Sequence, residues 1–296
     1  MKILVSGASG LIGSALVPYL TNAGHEVHTL VRRSPANKLE HQWAPESGFL
    51  EPSVVRDFDA VINLSGAGVG DKRWTDAYKN VILQSRLSAT RAIANALADC
   101  GRNDQILING SAIGFYGDRG SEIIDESSAP ADDFLATVVK QWEAATARAS
   151  DAGVRVVLAR TGLVVSSQGG AFGKLLPLFR FGLGGVIGSG KQFWPLISIT
   201  DLVRGFEFCL AHPVSGPVNF TAPSVPTNRE VTKALAAHLK RPALLPVPGF
   251  ALHLALGGFA SGITGGADVR PLKLQRLGFE WKHRSAAEIF AGEISH

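Results

Sequence analysis

Three glycines spaced three apart carry the first chemical signal. Gly7-Ala8-Ser9-Gly10-Leu11-Ile12-Gly13 follows a short apolar run, Ile3–Ser6, and opens a segment with helical spacing. Glycine lets a backbone turn tightly and approach a ligand. The first turn of a helix offers unpaired N–H groups and a partial positive charge, so the combination suits a pyrophosphate. Gly7, Ser9, Gly10, Leu11, Ile12 and Gly13 are therefore candidate dinucleotide-binding residues, with a plain strand–helix turn as the alternative. The next strand-like segment, Glu26–Val31, ends in Arg32-Arg33, where an NAD-binding fold places a carboxylate for the ribose hydroxyls. A guanidinium pairs with a phosphate and stacks on adenine. Arg32 foremost, with Arg33, thus predicts NADP(H) as cofactor; a solvated basic strand end is the alternative.

Cations beside flat rings form a second group. Arg73-Trp74, Lys191 and Phe193-Trp194 suit a nucleotide base or an anion, which makes Arg73, Trp74 and Trp194 candidate substrate residues. Core tryptophans beside surface arginines would look the same. The eight histidines show no metal-ligand spacing, and Cys100 and Cys209 are far apart, so no metal and no disulfide framework are expected.

The elements that must hold these residues alternate. Strand-like runs at Ile3–Ser6, Glu26–Val31, Asp59–Leu64, Gln105–Asn109 and Val154–Arg160 are separated by helix-like segments at Leu11–Ala23, Asp76–Ala98 and Asp133–Ala149. Later helices are expected after Ser198 and over Arg229–Leu239. Alternation of this kind predicts an α/β fold, a Rossmann-like doubly wound parallel sheet, with a smaller C-terminal substrate-side region. The expected division is 1–165 for the NADP-binding part, completed by parts of 195–225, and 166–296 for the smaller region.

Composition sets the outer bounds. At 46% hydrophobic and 18% charged, the 296-residue chain can bury a core, which excludes global disorder. The net charge of +4 comes from scattered basic residues, so no nucleic-acid partner is expected. Pro242–Ala267 lacks charged residues, but its three prolines and six glycines argue against a membrane span. The first strand runs straight into a glycine turn, so no secretory leader is expected. A cytoplasmic protein with a small-molecule partner is expected.

The Gly7–Gly13 turn, the segment Asp59-Ala60-Val61-Ile62-Asn63-Leu64-Ser65-Gly66, and Ser111 followed by Tyr116-Gly117 together resemble the extended short-chain dehydrogenase/reductase superfamily, NAD(P)-dependent epimerase/dehydratase type. Lys72-Arg73-Trp74-Thr75, Ser85-Arg86, Trp142-Glu143 and Arg160-Thr161-Gly162 narrow the resemblance to its "epimerase family protein" subgroup, which carries a C-terminal domain of unknown function, here near 247–294. The resemblance implies that Leu64, Ser65 and Gly66 meet the cofactor ribose, and that Gln84 and Arg86 face the pyrophosphate and nicotinamide side. It implies a cofactor role for Arg160, a substrate hydrogen bond for Ser111, and the nicotinamide ribose for Lys140. It also implies a possible homodimer through the two long helices.

One departure stands out. The superfamily pairs a proton-shuttling Tyr with a Lys four residues later, on one helix face. Four before Lys140 stands Ala136, and the chain's tyrosines are Tyr19, Tyr78 and Tyr116. Tyr116 is the first candidate replacement, with a packing role as its alternative. Two functions follow: an NADP(H)-dependent oxidoreductase or epimerase-like enzyme acting on a small polar or nucleotide-sugar-like substrate, or an NADP(H)-binding regulatory protein with little or no catalysis.

Overall fold

A computed structural model describes residues 1–243 and 264–295. Most of the charge-free Pro242–Ala267 stretch lies outside the described residues.

The elements run β1 (Lys2–Ser6), α1 (Leu11–Asn22), β2 (Glu26–Val31), β3 (Glu40–Gln42), α2 (Pro52–Arg56), β4 (Ala60–Asn63), α3 (Asp76–Asp99), β5 (Ile106–Ala112), β6 (Ile123–Ile124), α4 (Phe134–Ala144), α5 (Ala147–Asp151), β7 (Arg155–Thr161), β8 (Leu163–Val165), α6 (Gly170–Arg180), β9 (Leu196–Ser198), α7 (Ile199–Ala211), β10 (Gly216–Phe220), α8 (Asn228–Leu239), β11 (Asp268–Val269), α9 (Leu272–Arg276) and α10 (Ala286–Glu293). Seven strands form one sheet in the order β10-β7-β5-β4-β1-β2-β3, with every pairing parallel. The order reverses between β1 and β4. In such sheets the ligand crevice opens at that switch point, beyond the carboxyl ends of the strands.

Both faces of the sheet are covered, which is why its strands read as unbroken apolar runs. Ile3 and Val5 of β1 pack on Leu16, Leu20 and Phe206 from α1 and α7. Leu4, between them, points the other way, onto Ile93 and Leu97 of α3. Burying one such side chain contributes about 1.5–3 kcal/mol.

The segment expected as a single helix over Asp133–Ala149 is two. Asp133 caps its start by accepting from the Ala136 amide at 2.9 Å. The break comes at Thr146, whose hydroxyl donates back to the Glu143 carbonyl at 2.7 Å and competes with the helix. Sequence periodicity does not register such a local competition.

The second half crosses back: β10 joins the main sheet beside β7. A separate apolar cluster lies among α6, α8 and α10, with Phe172, Trp194, Val231 and Phe290 in its centre. Asp201, fully buried at the start of α7, fastens the C-terminal segment. Its carboxylate accepts from the backbone amides of Lys282 and His283 at 2.9 Å each, and from Arg204 at 2.8 Å. The helix cap here is Ser198, whose Oγ accepts from the Asp201 amide.

Candidate functional site

The β1–α1 turn is built so tightly that glycine is required. Gly7 has φ +71°, and a Cβ there would sit 2.7 Å from the Leu64 backbone. At Gly13 it would sit 2.4 Å from the Gly7 oxygen and 2.6 Å from the Ala8 Cα. These contacts bring the turn against the end of β4. No side chain caps α1, and its first turn carries no acidic residue, so the leading amides face the crevice unopposed. Ser9 and Gly10 are exposed there. From the second half, Gly170 lies against the Leu11 side chain, and Lys174 reaches the Gly70 carbonyl at 2.6 Å. The start of α6 thus bridges the two lips of the crevice.

At the end of β2 the two arginines part. Arg33 is committed: its guanidinium makes two 2.7 Å bonds to Glu40. Glu40, which the sequence reading passed over, is spent on Arg33 and on the Ala36 amide, and Arg33 with that amide holds its carboxyl down to about 2. Arg32 is exposed and makes no ion pair among the described residues. Of the pair, Arg32 is free to meet an anion.

A row of buried polar side chains closes the central strands. Ser6, Asn63 and Asn109 stand in register on β1, β4 and β5. Ser6 donates to Asn63 Oδ1 at 2.7 Å, and Asn63 Nδ2 donates to Asn109 at 2.7 Å and Thr90 at 2.9 Å. The Trp142 indole N–H also donates to Thr90, at 2.9 Å. The signal in the sequence is the single polar residue ending each apolar run. This network fixes Leu64 and Ser65, and the Ser65 amide donates to Asn63 Oδ1 at 3.2 Å. Beside exposed Gly66 lies Arg86, its guanidinium 5.0 Å from the Trp142 ring centre and donating to the Ala67 and Ile82 carbonyls. Burial pulls Arg86 down to about 10, and the Tyr78 phenol is its opposing influence. A half-buried cation with no ion pair among the described residues suits an anionic ligand. Gln84 is exposed on the same helix.

Ser111, Tyr116 and Arg160 meet, but in a different way from that expected. Ser111 Oγ donates to Glu143 Oε1 at 2.6 Å. Glu143 accepts two 2.8 Å bonds from Arg160, both side chains being less than 10% exposed. Arg160 also donates to the Tyr116 phenol at 2.9 Å and lies over the Phe115 ring. Arg160 is enclosed in this cluster. Tyr116 is fully buried and donates to Asn219 Oδ1 at 2.8 Å.

Burial pushes the Tyr116 phenol from 10.0 to about 12, against the opposing influence of Arg160. The folded state therefore holds this proton more tightly than the unfolded state does. The stability it contributes is complete below pH 10 and is lost as pH rises towards about 12. Tyr116→Phe is expected to lower stability by about 1–3 kcal/mol at neutral pH, since it strands Asn219, and to flatten this alkaline decline. Urea unfolding at pH 8 and pH 11 measures both effects.

Lys140 is half-exposed, 3.6 Å from the freely exposed Asp132, and Ala136 one turn earlier is fully buried. Trp74 is half-buried, donates to the Val69 carbonyl at 2.7 Å and packs edge-on against Phe134; Arg73 beside it is exposed. Trp194 belongs to the apolar cluster of the second half. Among the described residues, no three His, Cys, Asp or Glu side chains come together as a metal site would need, and no helix is long and apolar enough to cross a membrane.

Comparison with known proteins fits this geometry. Residues 3–221 match the model of the NAD dependent epimerase/dehydratase family. The chain belongs to that family. Residues 247–291 match a domain of unknown function (DUF1731). Epimerase family protein MT2273 of Mycobacterium tuberculosis is 43% identical over 97% of this chain and 95% of its own length. The mouse epimerase family protein SDR39U1 is 35% identical, with 95% of each chain covered. The crystal structure of human epimerase family protein SDR39U1 (isoform 2) with NADPH superposes with a TM-score of 0.90 at 30% identity, covering 99% of this chain and 98% of the other. The Rossmann-like fold expected from the epimerase-type motifs is the one observed.

Proposed function

We propose that this family member binds NADP(H) at the β1–α1 crevice and uses it for hydride transfer to or from a small polar or nucleotide-sugar-like substrate. The observation that carries the cofactor choice is Arg32, an exposed cation at the end of β2 with no ion pair among the described residues, while Glu40 is consumed by Arg33. The human relative crystallised with NADPH supports the same reading. The residues present fit such a cofactor: the glycine turn and the first amides of α1 for the pyrophosphate, Arg32 for the 2′-phosphate, Leu64, Ser65, Gly66 and Arg86 along the far lip, and Lys140 for the second ribose. A bound nicotinamide supplies the hydride acceptor or donor. The chain supplies orientation, through Ser111 on the substrate side, and shelter from water under the start of α6.

In titrations, NADPH is expected to bind more tightly than NADH. Arg32→Ala should weaken NADPH about 10- to 100-fold, the worth of charge-assisted bonds, and leave NADH nearly unchanged. Arg33→Ala should have a smaller effect. Equal affinities in the parent protein would overturn the assignment.

A second reading rests on the enclosure of Tyr116. With that phenol committed to Asn219 and Arg160, the chain would serve as an NADP(H)-binding regulatory protein. Oxidation of bound NADPH by any member of a carbonyl and sugar-nucleotide panel supports the enzyme. Altered protease sensitivity with NADPH, and no turnover, supports the regulator.

A further inference from the structure

The buried cluster around Ser111 has a direction. It can be followed inward from a backbone carbonyl. Asn219 Nδ2 donates to the Arg270 oxygen at 3.0 Å, so Asn219 turns its Oδ1 to the Tyr116 phenol, which donates to it. The phenol oxygen then accepts from Arg160. Arg160 has only donors, and it gives two of them to Glu143. Glu143, ionised in that pair, has no proton to offer and accepts from Ser111 at 2.6 Å. A serine hydroxyl has one proton and two lone pairs. Here the proton is fixed on the Glu143 side, and lone pairs are what Ser111 can turn to a ligand.

We propose that Glu143 is a positioning residue that holds Ser111 as a hydrogen-bond acceptor, so that the site selects a substrate presenting a hydroxyl, rather than a carbonyl, to Ser111. The inference rests on Ser111 being a substrate contact, as in the function proposed above. A carbonyl would be held only if Ser111 gave up a short bond to a carboxylate for a bond to a neutral acceptor, which is the weaker of the two. A hydroxyl donates to Ser111 and leaves the cluster intact. Ser111 lies directly across from Arg160 in the β5–β7 register, so the strand pairing itself sets the geometry.

The test uses 2-propanol and acetone as probes, since they share one carbon skeleton and differ in hydrogen-bonding polarity. Neutron diffraction of the full chain with NADPH is expected to place the Ser111 deuteron towards Glu143 Oε1. NMR titration of the same complex is expected to give 2-propanol an affinity about tenfold or more above that of acetone, the advantage of a retained charge-assisted bond. Ser111→Ala, which leaves the Arg160–Glu143 pair in place, should bring the ratio to about one. Glu143→Asp, keeping the charge on a shorter arm, should reduce the ratio without loss of NADPH binding, an effect that a merely structural role would not produce. A deuteron directed into the crevice, equal or stronger binding of acetone, or binding of neither probe overturns the proposal. Failure of NADPH to bind would instead overturn the cofactor reading, and crystals grown without it still report the Ser111 deuteron.

Discussion

Arg160→Leu is expected to lower the free energy of unfolding by about 3–5 kcal/mol, because breaking a buried ion pair from one side leaves the other charge without compensation. The geometry is of that kind: two 2.8 Å bonds join Arg160 to Glu143, with side-chain exposures of 5% and 9%. The substitution also removes the donor to Tyr116 and the cation over Phe115. Burial alone would lower the Arg160 pKa, and the interactions with Glu143 and Tyr116 together outweigh it, so the net shift is upward. Guanidinium unfolding at neutral pH measures the cost. The double replacement, Glu143→Leu with Arg160→Leu, should recover a substantial part of it, since two apolar side chains need no partner. A cost below about 1 kcal/mol for the single variant would mean that water reaches the pair, as it does in surface ion pairs.

The second large effect belongs to the glycine turn. In Gly13→Val, the new Cβ would meet the Gly7 oxygen at 2.4 Å and the Ala8 Cα at 2.6 Å, both of them backbone atoms with no freedom to move aside. Overpacking of this kind costs about 1–3 kcal/mol when the structure yields, and here it can yield only by opening the turn. An opened turn must close again to bind NADPH. Affinity is then expected to fall about 10- to 100-fold, the same energy expressed as a binding constant. Fluorescence titration with NADPH checks this. Undiminished affinity in Gly13→Val would remove the turn from the cofactor site.

The sheet and the cradle were legible because each rests on local pattern. Apolar runs with one polar end mark the central strands. The glycine spacing marks a turn that no other residue type could make. Arg32 was legible as a basic residue where a carboxylate is usual, although only the fold shows that Glu40 returns along β3 to occupy Arg33. The Ser111 cluster was not legible in the same way. Ser111 and Glu143 are 32 residues apart, and Tyr116 and Asn219 are 103 apart. Their meeting depends on how α4 rolls against β5 and on β10 crossing into the sheet. Trp194 likewise joins its apolar cluster through the long-range packing of α6, α8 and α10, which its place near Lys191 in the sequence does not encode.

The seat of Asp201 has a consequence for how the chain can be divided. A fully buried carboxylate that takes its partners from residues 282 and 283 cannot be left behind when they are removed. A truncated chain ending at residue 243 should therefore be a poor protein. Without residues 282 and 283 the Asp201 carboxylate would keep Arg204 and Ser198 and lose two backbone amides at once.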